Sequence, residues 1–353
     1  LRVLHFITPS RVSGAELLLL RTARAQVRRG DVARVLCKPH VGFIARACRE
    51  DVDVVSAPIS GKLNFRAVTV LRREIRRFRP DVVCTHLSSA SLWGSVAARL
   101  CHVPCVAVVH GFNSAFCYRF APTLVCVSEA VAASMALQRI PRSALRIVHN
   151  GIDPSPFLDA PRADLPVPCG AFCVGTVAHL SPKKGYTELM QAALCVPDAH
   201  FVVVGEGKMH STLAGLAQGP LRGRLHLLGF RDDIPSLMRR FDVFCLPSRR
   251  EPFGLALLEA MAAERAVVAF AEGGVPEIVV ANRTGLLAPP GDVPALADCL
   301  RRLQQDAALR SAMGIAGRER VWAQFTLDQT VARLQQVFGD EILHQRLATH
   351  QAM

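Results

Sequence analysis

The sequence predicts an α/β protein with two doubly wound parallel sheets. Short apolar runs of strand length alternate with helix-length segments, the pattern of a parallel sheet covered on both faces. The alternation breaks once, at a Pro-rich stretch, and then begins again, so the second half repeats the architecture of the first. A chain of 353 residues, 50% of them hydrophobic, is long for one core and comfortable for two.

LRVLHFITP reads as a buried strand, followed by the turn SRVSGAE and a helix over about 15–29 with Leu17, Leu18 and Leu20. VARVLCKP is the second strand. LRREIRRFRP, 71–80, is a basic helix ended by Pro80, because proline cannot continue a helix. DVVCTH, CVAVVHGF and LVCVSEA are further strands, each followed by a small polar turn. PSPFLDAPRADLPVPCG, 154–170, has the composition of a linker. Beyond it FCVGTVAHL, FVVVGEG, LHLLGF, VFCLPS and AVVAF are strands, with helices from about 186, at 209–218 and around Glu259. The segment 326–353 reads as an amphipathic helical tail. The expected division is therefore 1–160, 161–325 and a tail, 326–353, packing back toward the first domain. Two such domains create a cleft, and in doubly wound sheets ligands bind beyond the carboxyl ends of the strands.

The formal net charge is +13, and arginine far outnumbers lysine. That balance suits anionic partners: phosphorylated small molecules, anionic lipid or nucleic acid. No zinc-finger spacing, nucleic-acid module or aromatic-rich basic patch occurs, which argues against nucleic acid. Among 12 cysteines there is no CxxC; CHVPC (Cys101 to Cys105) and CGAFC (Cys169 to Cys173) lie in or beside apolar runs and read as buried reduced thiols. With no signal-peptide pattern, this leads to the expectation of a cytoplasmic protein. No apolar run approaches the ~18 residues that span a bilayer.

REPFGLALLEAM, 250–261, is the most informative stretch. Pro252 and Gly254 disfavour one continuous helix. The better reading is a loop carrying Glu251, then a helix opening near Leu255 that buries Leu257, Leu258 and Met261. The loop-to-helix junction offers backbone N–H groups at Phe253, Gly254 and Leu255, a ready anion site. A carboxylate beside an anion site suits a hydroxyl instead: Glu251 for a sugar, Glu259 for the two hydroxyls of a ribose. The plainer alternative is a pair of solvated helix-end charges.

This stretch, preceded by DVFCLPS and followed by GGVPEIV, resembles the E-x7-E region of retaining glycosyltransferases of family 4, which have the GT-B fold. SGAE, VHGF, CVSEAV, VHNGID, LSPKKG, VVGEG and LGFRDDI agree, in family order, from about residue 2 to about 325. The resemblance implies two Rossmann-like domains facing each other across a cleft, a nucleotide-sugar donor and no metal. It implies that Gly14 lets the backbone approach the donor diphosphate and that Lys184 neutralises that leaving group. It places His110 and Glu251 against the transferred sugar. Phe230 and Arg231 become walls of the nucleobase site, although Phe230 also reads as core. His86, Ser128 and Glu129 become acceptor-side residues. One departure stands out: the family's Gly-Arg pair is Ala178-His179 here, and histidine lacks both the permanent charge and the bidentate fork of arginine. Lys183, Arg249 and Arg250 are the nearby substitutes.

The expected activity is a metal-independent retaining transfer from a nucleotide-diphosphate sugar, taken as UDP-linked, to a glycan or lipid-linked acceptor in bacterial surface polysaccharide or lipopolysaccharide synthesis. The alternatives are a weak or inactive sugar-nucleotide-binding member, kept open by His179, and a UDP-sugar epimerase of similar architecture. DVD (51–53) has the DxD form of metal-dependent glycosyltransferases but reads as a strand entry. GEGKMHS lacks P-loop spacing, which discounts a nucleotide hydrolase. The helix 71–80 (Arg72, Arg73, Arg76, Arg77 and Arg79) reads either as a solvated face or as a dock for anionic lipid, making the protein peripheral on the inner face of the cytoplasmic membrane.

Overall fold

The computed structural model describes residues 1–59, 61 and 63–351. Along the chain the strands are β1 (Arg2–Ile7), β2 (Val32–Cys37), β3 (Val54–Ser56), β4 (Val82–His86), β5 (Cys105–Val109), β6 (Thr123–Cys126) and β7 (Leu145–Ile147), then β8 (Phe172–Val177), β9 (Ala199–Val204), β10 (Leu225–Leu227), β11 (Val243–Leu246), β12 (Ala266–Phe270) and β13 (Gly285–Ala288). The helices are α1 (Gly14–Arg28), α2 (Val41–Arg49), α3 (Arg66–Phe78), α4 (Ser88–Leu100), α5 (Glu129–Leu137), α6 (Pro156–Asp159) and α7 (Tyr186–Leu194). They continue with α8 (His210–Gln218), α9 (Ile234–Met238), α10 (Leu255–Ala262), α11 (Val275–Ile278), α12 (Val293–Gln305), α13 (Ala307–Gln324) and α14 (Leu327–Gln351).

The chain divides into two compact units, Leu1–Asn150 with Leu327–Met353, and Gly151–Thr326. The first holds a seven-stranded sheet in the order β3-β2-β1-β4-β5-β6-β7, the second a six-stranded sheet in the order β10-β9-β8-β11-β12-β13. All pairings are parallel. Buried Val, Ile, Leu, Ala and Cys fill the central strands, as expected where helices cover both faces. Strand order reverses between β1 and β4 in the first unit and between β8 and β11 in the second. The loops after those strands are therefore the topological switch points at which open α/β sheets bind ligands.

Three points differ from the sequence reading. Residues 151–160 belong to the second unit: Phe157 is buried, and Arg239 donates to the Ala160 carbonyl at 2.8 Å. The Pro-rich stretch after them is also anchored there, with Ala163 N–H on the Ser236 carbonyl at 3.1 Å, so proline content alone overstated its looseness. The basic helix is α3, which starts at Arg66, and Arg79 ends it in the left-handed region at φ 52°. A third difference concerns the thiols. Cys105 and Cys173 are buried, but Cys169 is exposed and Cys101 only half-buried.

The tail is α14, whose last two expected residues lie outside the described ones. It packs on α1 and buries Val331 and Phe338 completely. Thr123 Oγ1 donates to Glu341 Oε2 at 2.7 Å, and Thr330 Oγ1 to the His149 carbonyl at 3.0 Å. Because helices gain most of their stability from burying one face, α14 depends on the first unit for its folding and the unit depends on α14 to cover α1. Truncating a buried phenylalanine costs about 3–5 kcal/mol, so Phe338→Ala should destabilise the first unit by that order. The two tryptophans fall one per unit, Trp93 and Trp322. Urea unfolding followed by Trp93 fluorescence in a Trp322→Phe background reads the loss directly, and an unchanged midpoint would contradict it.

Candidate functional site

In the second unit the switch-point loops are built by close backbone approach. After β8 the chain forms a loop, 178–181, a 3-10 turn over Pro182–Lys184, and Gly185 at φ 72°. A Cβ on Gly185 would lie 1.7 Å from the Pro247 carbonyl oxygen, so only glycine lets this loop touch the one after β11. Arg249 N–H donates to the Lys183 carbonyl at 2.8 Å across the same junction. Gly205 and Gly207 brace it from behind: Cβ atoms there would meet the Ala178 and Leu180 carbonyls at 2.1 and 2.3 Å. These two glycines, in the GEGKMHS stretch, pack the end of β9 under the loop that carries His179.

This packing brings together the two residues on which the sequence reading depends. Lys184 Nζ donates to Glu251 Oε2 at 2.7 Å, and Glu251 is 7% exposed. Arg250, immediately before Glu251, sits at φ 56°, a conformation a non-glycine residue adopts at a cost of about 1–3 kcal/mol. On the other side the Glu251 carbonyl accepts Gly274 N–H at 2.9 Å. A Cβ on Gly273 would fall 2.0 Å from that carbonyl oxygen. The double glycine of GGVPE, unassigned in the sequence, thus moulds the Glu251 backbone.

Gly254, at φ 112°, turns the chain into α10, whose first-turn amides have no intrahelical acceptor. α10 starts at Leu255 and buries Leu257, Leu258 and Met261. Phe253 is buried edge-on against Phe325, with ring centroids 6.0 Å apart. Glu259 is half-buried one turn along α10.

His179 is exposed on its loop. Of its suggested substitutes, Arg249 is paired with the buried Glu188 carboxylate, while Lys183 is exposed. Phe230 is 65% exposed, which excludes the core reading. Arg231 makes a two-point pair with Asp233, Nε to Oδ1 at 2.8 Å and Nη2 to Oδ2 at 2.6 Å, and holds that carboxyl below its ordinary range.

The first unit carries a different constellation. His110 follows β5 directly, His86 ends β4, and His5 lies within β1 opposite Cys84. Gln26 Oε1 is 2.8 Å from His5 Nε2, His5 Nδ1 is 3.1 Å from His86 Nε2, and His86 Nδ1 is 3.0 Å from His110 Nε2. Burial lowers the proton affinity of every ring, to about 4 for His5 and His110, and well below 6.5 for His86, where His110 and His5 add to the effect. Neutral imidazoles are the outcome. Leu87, the next residue, has φ 67° and ψ 163°, a region left almost entirely to glycine.

Gly14 is the exposed first residue of α1; the preceding Ser13 N–H donates to the Glu16 carboxylate at 3.2 Å. Ser128 is buried and its Oγ accepts Val131 N–H at 3.1 Å, capping α5, while Glu129 is exposed in the first turn. Sequence reasoning missed His5 and Gln26. The available signal was a histidine inside an apolar strand, which burial would force to find a partner.

Among the described residues one group, His5, Cys84 and His86, brings ligand-type atoms within 4.8 Å of one another, all buried. The DxD-like stretch is not such a group: Asp53 is held by Arg34 at 2.7 Å.

Two parallel doubly wound units of seven and six strands have the architecture of the GT-B class of glycosyltransferases. The structure of Anabaena Alr3699/HepE in complex with UDP-glucose matches this fold with a TM-score of 0.85 at 21% identity, covering 96% of this chain and 99% of that one. Residues 161–320 match the family described as Glycosyl transferases group 1, and residues 12–156 that described as Glycosyltransferase Family 4. The chain belongs to these group 1, family 4 glycosyltransferases, and its class of activity is glycosyl transfer. It is similar to the UDP-Gal:alpha-D-GlcNAc-diphosphoundecaprenol alpha-1,3-galactosyltransferase of Escherichia coli, at 26% identity over 86% of this chain and 84% of that protein. It is also similar to the 2-deoxystreptamine glucosyltransferase of Streptomyces kanamyceticus, at 29% identity over 92% of this chain and 100% of that one.

The neutral histidines make stability depend on pH. Folded His5 binds its proton near pH 4 and the unfolded ring near 6.5, so between those values the unfolded chain holds more protons. Stability is full above 6.5 and declines as the pH falls through that window. The limiting loss for one ring displaced this far is about 3 kcal/mol. Urea unfolding at neutral pH and at about pH 5 should show the first unit weakened by acid, and a His5→Gln variant should show a shallower decline.

Proposed function

We propose that this protein is a retaining glycosyltransferase that works without a metal ion and uses a UDP-sugar donor. The observation that carries the reading is the Lys184–Glu251 contact at the head of α10, on the switch point of the second sheet. A nucleotide-sugar needs a cation and amide dipoles for its diphosphate, and an acceptor for its hydroxyls, within a few ångströms of each other. Here the Lys184 ammonium, the first-turn amides of α10 and the Glu251 carboxylate are carried on loops whose backbones are fixed by close-packed glycines.

In the reaction proposed, Lys184 and the amides of Phe253, Gly254 and Leu255 hold the diphosphate, with Gly14 letting the first unit's backbone approach it. Glu251 and His110 hold the transferred sugar, and Glu259 the ribose. Phe230 and Arg231 flank the base. His86, Ser128 and Glu129 belong to the acceptor side, where Ser128 acts through its cap on α5 and His86 through His110. The bond from the anomeric carbon to the diphosphate oxygen breaks, and the acceptor oxygen bonds to that carbon on the same face. The acceptor's proton passes to the departing diphosphate. Negative charge grows on the diphosphate during this step, so cations and amides fixed there lower the barrier. Protein groups do the work given to a metal in other transferases, which is the basis for proposing metal independence. His179, lacking a permanent charge, lowers donor affinity.

The proposed acceptor is a lipid-linked glycan in surface polysaccharide or lipopolysaccharide assembly on the cytoplasmic side of a bacterial membrane. The diphosphoundecaprenol-linked acceptor named for the Escherichia coli relative supports this. No helix among the described residues is long and apolar enough to cross a membrane. α3 suits attachment by charge: Ala67, Leu71, Ile75 and Phe78 are buried, while Arg66, Arg73, Arg76 and Arg77 are exposed. Leu63 and Phe65 stand exposed at its head. Each basic residue near an anionic surface contributes about 1 kcal/mol. Flotation with anionic vesicles should recover the protein at low salt and lose it at high salt; no recovery at low salt refutes the attachment.

Two measurements test the donor site. In a thermal-shift screen of UDP-, GDP- and ADP-sugars, UDP-sugars should raise the melting temperature most, because only the folded state binds them. Lys184→Ala and Glu251→Gln should each lower kcat by about 10²–10³; Lys184→Ala, which leaves the buried Glu251 carboxylate without its cation, should lower the melting temperature as well, and Glu251→Gln less so. Donor isomerisation without release of UDP would instead mark an epimerase, and binding without turnover an inactive member. His179→Arg should lower KM for the donor.

A further inference from the structure

We infer that Gln26, from the interior of the first unit, fixes through His5 and His86 the hydrogen-bonding character that His110 presents at its Nδ1. These three are then positioning residues for the sugar that His110 meets. The inference rests on the assignment of His110 to the sugar made above.

The argument is one of donors and acceptors. A neutral imidazole has one N–H and one bare nitrogen. The amide of Gln26 meets His5 through its oxygen, which only accepts, and its Nε2 is buried with no partner among the described residues. His5 Nε2 therefore carries a proton and its Nδ1 is bare. His86 Nε2 must donate to that bare atom at 3.1 Å, which leaves His86 Nδ1 bare in turn. His110 Nε2 must then donate across 3.0 Å, and His110 Nδ1 is left with a lone pair and no partner among the described residues.

A break in this order puts two N–H groups or two lone pairs face to face about 3 Å apart in a dry interior, where unmatched polar atoms cost most. The line accordingly has two self-consistent states, one polarity or its reverse, and the amide at the far end selects between them. Burial keeps a further proton off the rings at neutral pH. The neighbouring Cys84 thiol, 3.4 Å from His86 Nε2, is kept protonated by the same burial. The strained Leu87 joins His86 to α4 and shows that the ring's position is held against a backbone cost.

With Nδ1 bare, His110 accepts a hydrogen bond from a sugar hydroxyl and disfavours a deoxy or fluoro sugar at that position, since neither can donate. Reversal turns the same nitrogen into a donor. Gln26→Met keeps the shape of the side chain and removes its acceptor. With the one acceptor at that end gone, the proton on His5 Nε2 loses its partner and the whole line reverses.

The test is 15N NMR of histidine-labelled protein without substrate, beside transfer kinetics. Wild type should show His110 bare at Nδ1 and protonated at Nε2. Gln26→Met should exchange the two and lower kcat/KM for the natural hydroxylated donor about tenfold. A wild-type His110 protonated at Nδ1 overturns the inference without any variant, as does a tautomer unchanged in Gln26→Met. Stoichiometric zinc released from the denatured protein also overturns it, since a metal would occupy the nitrogens that the line uses. An exchanged tautomer with unchanged kcat/KM overturns the role toward substrate. If His110→Ala transfers sugar as wild type does, the assignment of His110 itself fails, a result the NMR distinguishes from failure of the line.

Discussion

Contact between the backbone of the loop after β8 and that of the loop after β11 is the constraint from which the geometry around Lys184 and Glu251 follows. Gly185 lies so close to Pro247 that no side chain fits, and Gly273 and Gly274 press equally closely on the chain at Glu251 and Pro252. Only because these backbones touch does Lys184 reach Glu251. The pair is partly buried, and in that setting its strength comes from fixed geometry: a charge held without its partner in such a place is destabilising by several times what an exposed pair contributes. The loop conformations, including the left-handed Arg250, are held by neighbours on both sides.

The first unit solves a related problem with neutral groups. Its switch point, between β1 and β4, lies deeper among apolar strands, and there burial removes charge from imidazole. A line of hydrogen bonds replaces an ion pair as the means of fixing side chains. The two units thus illustrate how depth decides the chemistry. The more exposed Lys184 is fixed by pairing with a carboxylate, while the buried histidines give up their charge and are fixed by one another.

Membership of the group 1, family 4 glycosyltransferases makes the departure at His179 more interesting. The loop that carries it is tightly braced by Gly205 and Gly207. Arg249, the nearest arginine able to compensate, is taken up by Glu188. The lysines of the 3-10 turn, Lys183 and Lys184, are the cations that remain on this loop.

The sequence by itself determined the two sheets, the helix opening at Leu255 and the family, because these depend on local patterns: apolar period, a Pro-Phe-Gly turn and short motifs in order. Its errors were also local in origin. A Pro-rich composition placed the domain boundary too late, since proline marks irregular backbone and not absence of packing, and a run of arginines placed the start of α3 too late. What only the tertiary structure decided were relations between distant segments. These are the Lys184–Glu251 contact, the glycines that allow it, and the line from Gln26 to His110. Each depends on which backbones come within a few ångströms, and that is set by strand order and sheet packing, which no stretch of neighbouring residues encodes alone.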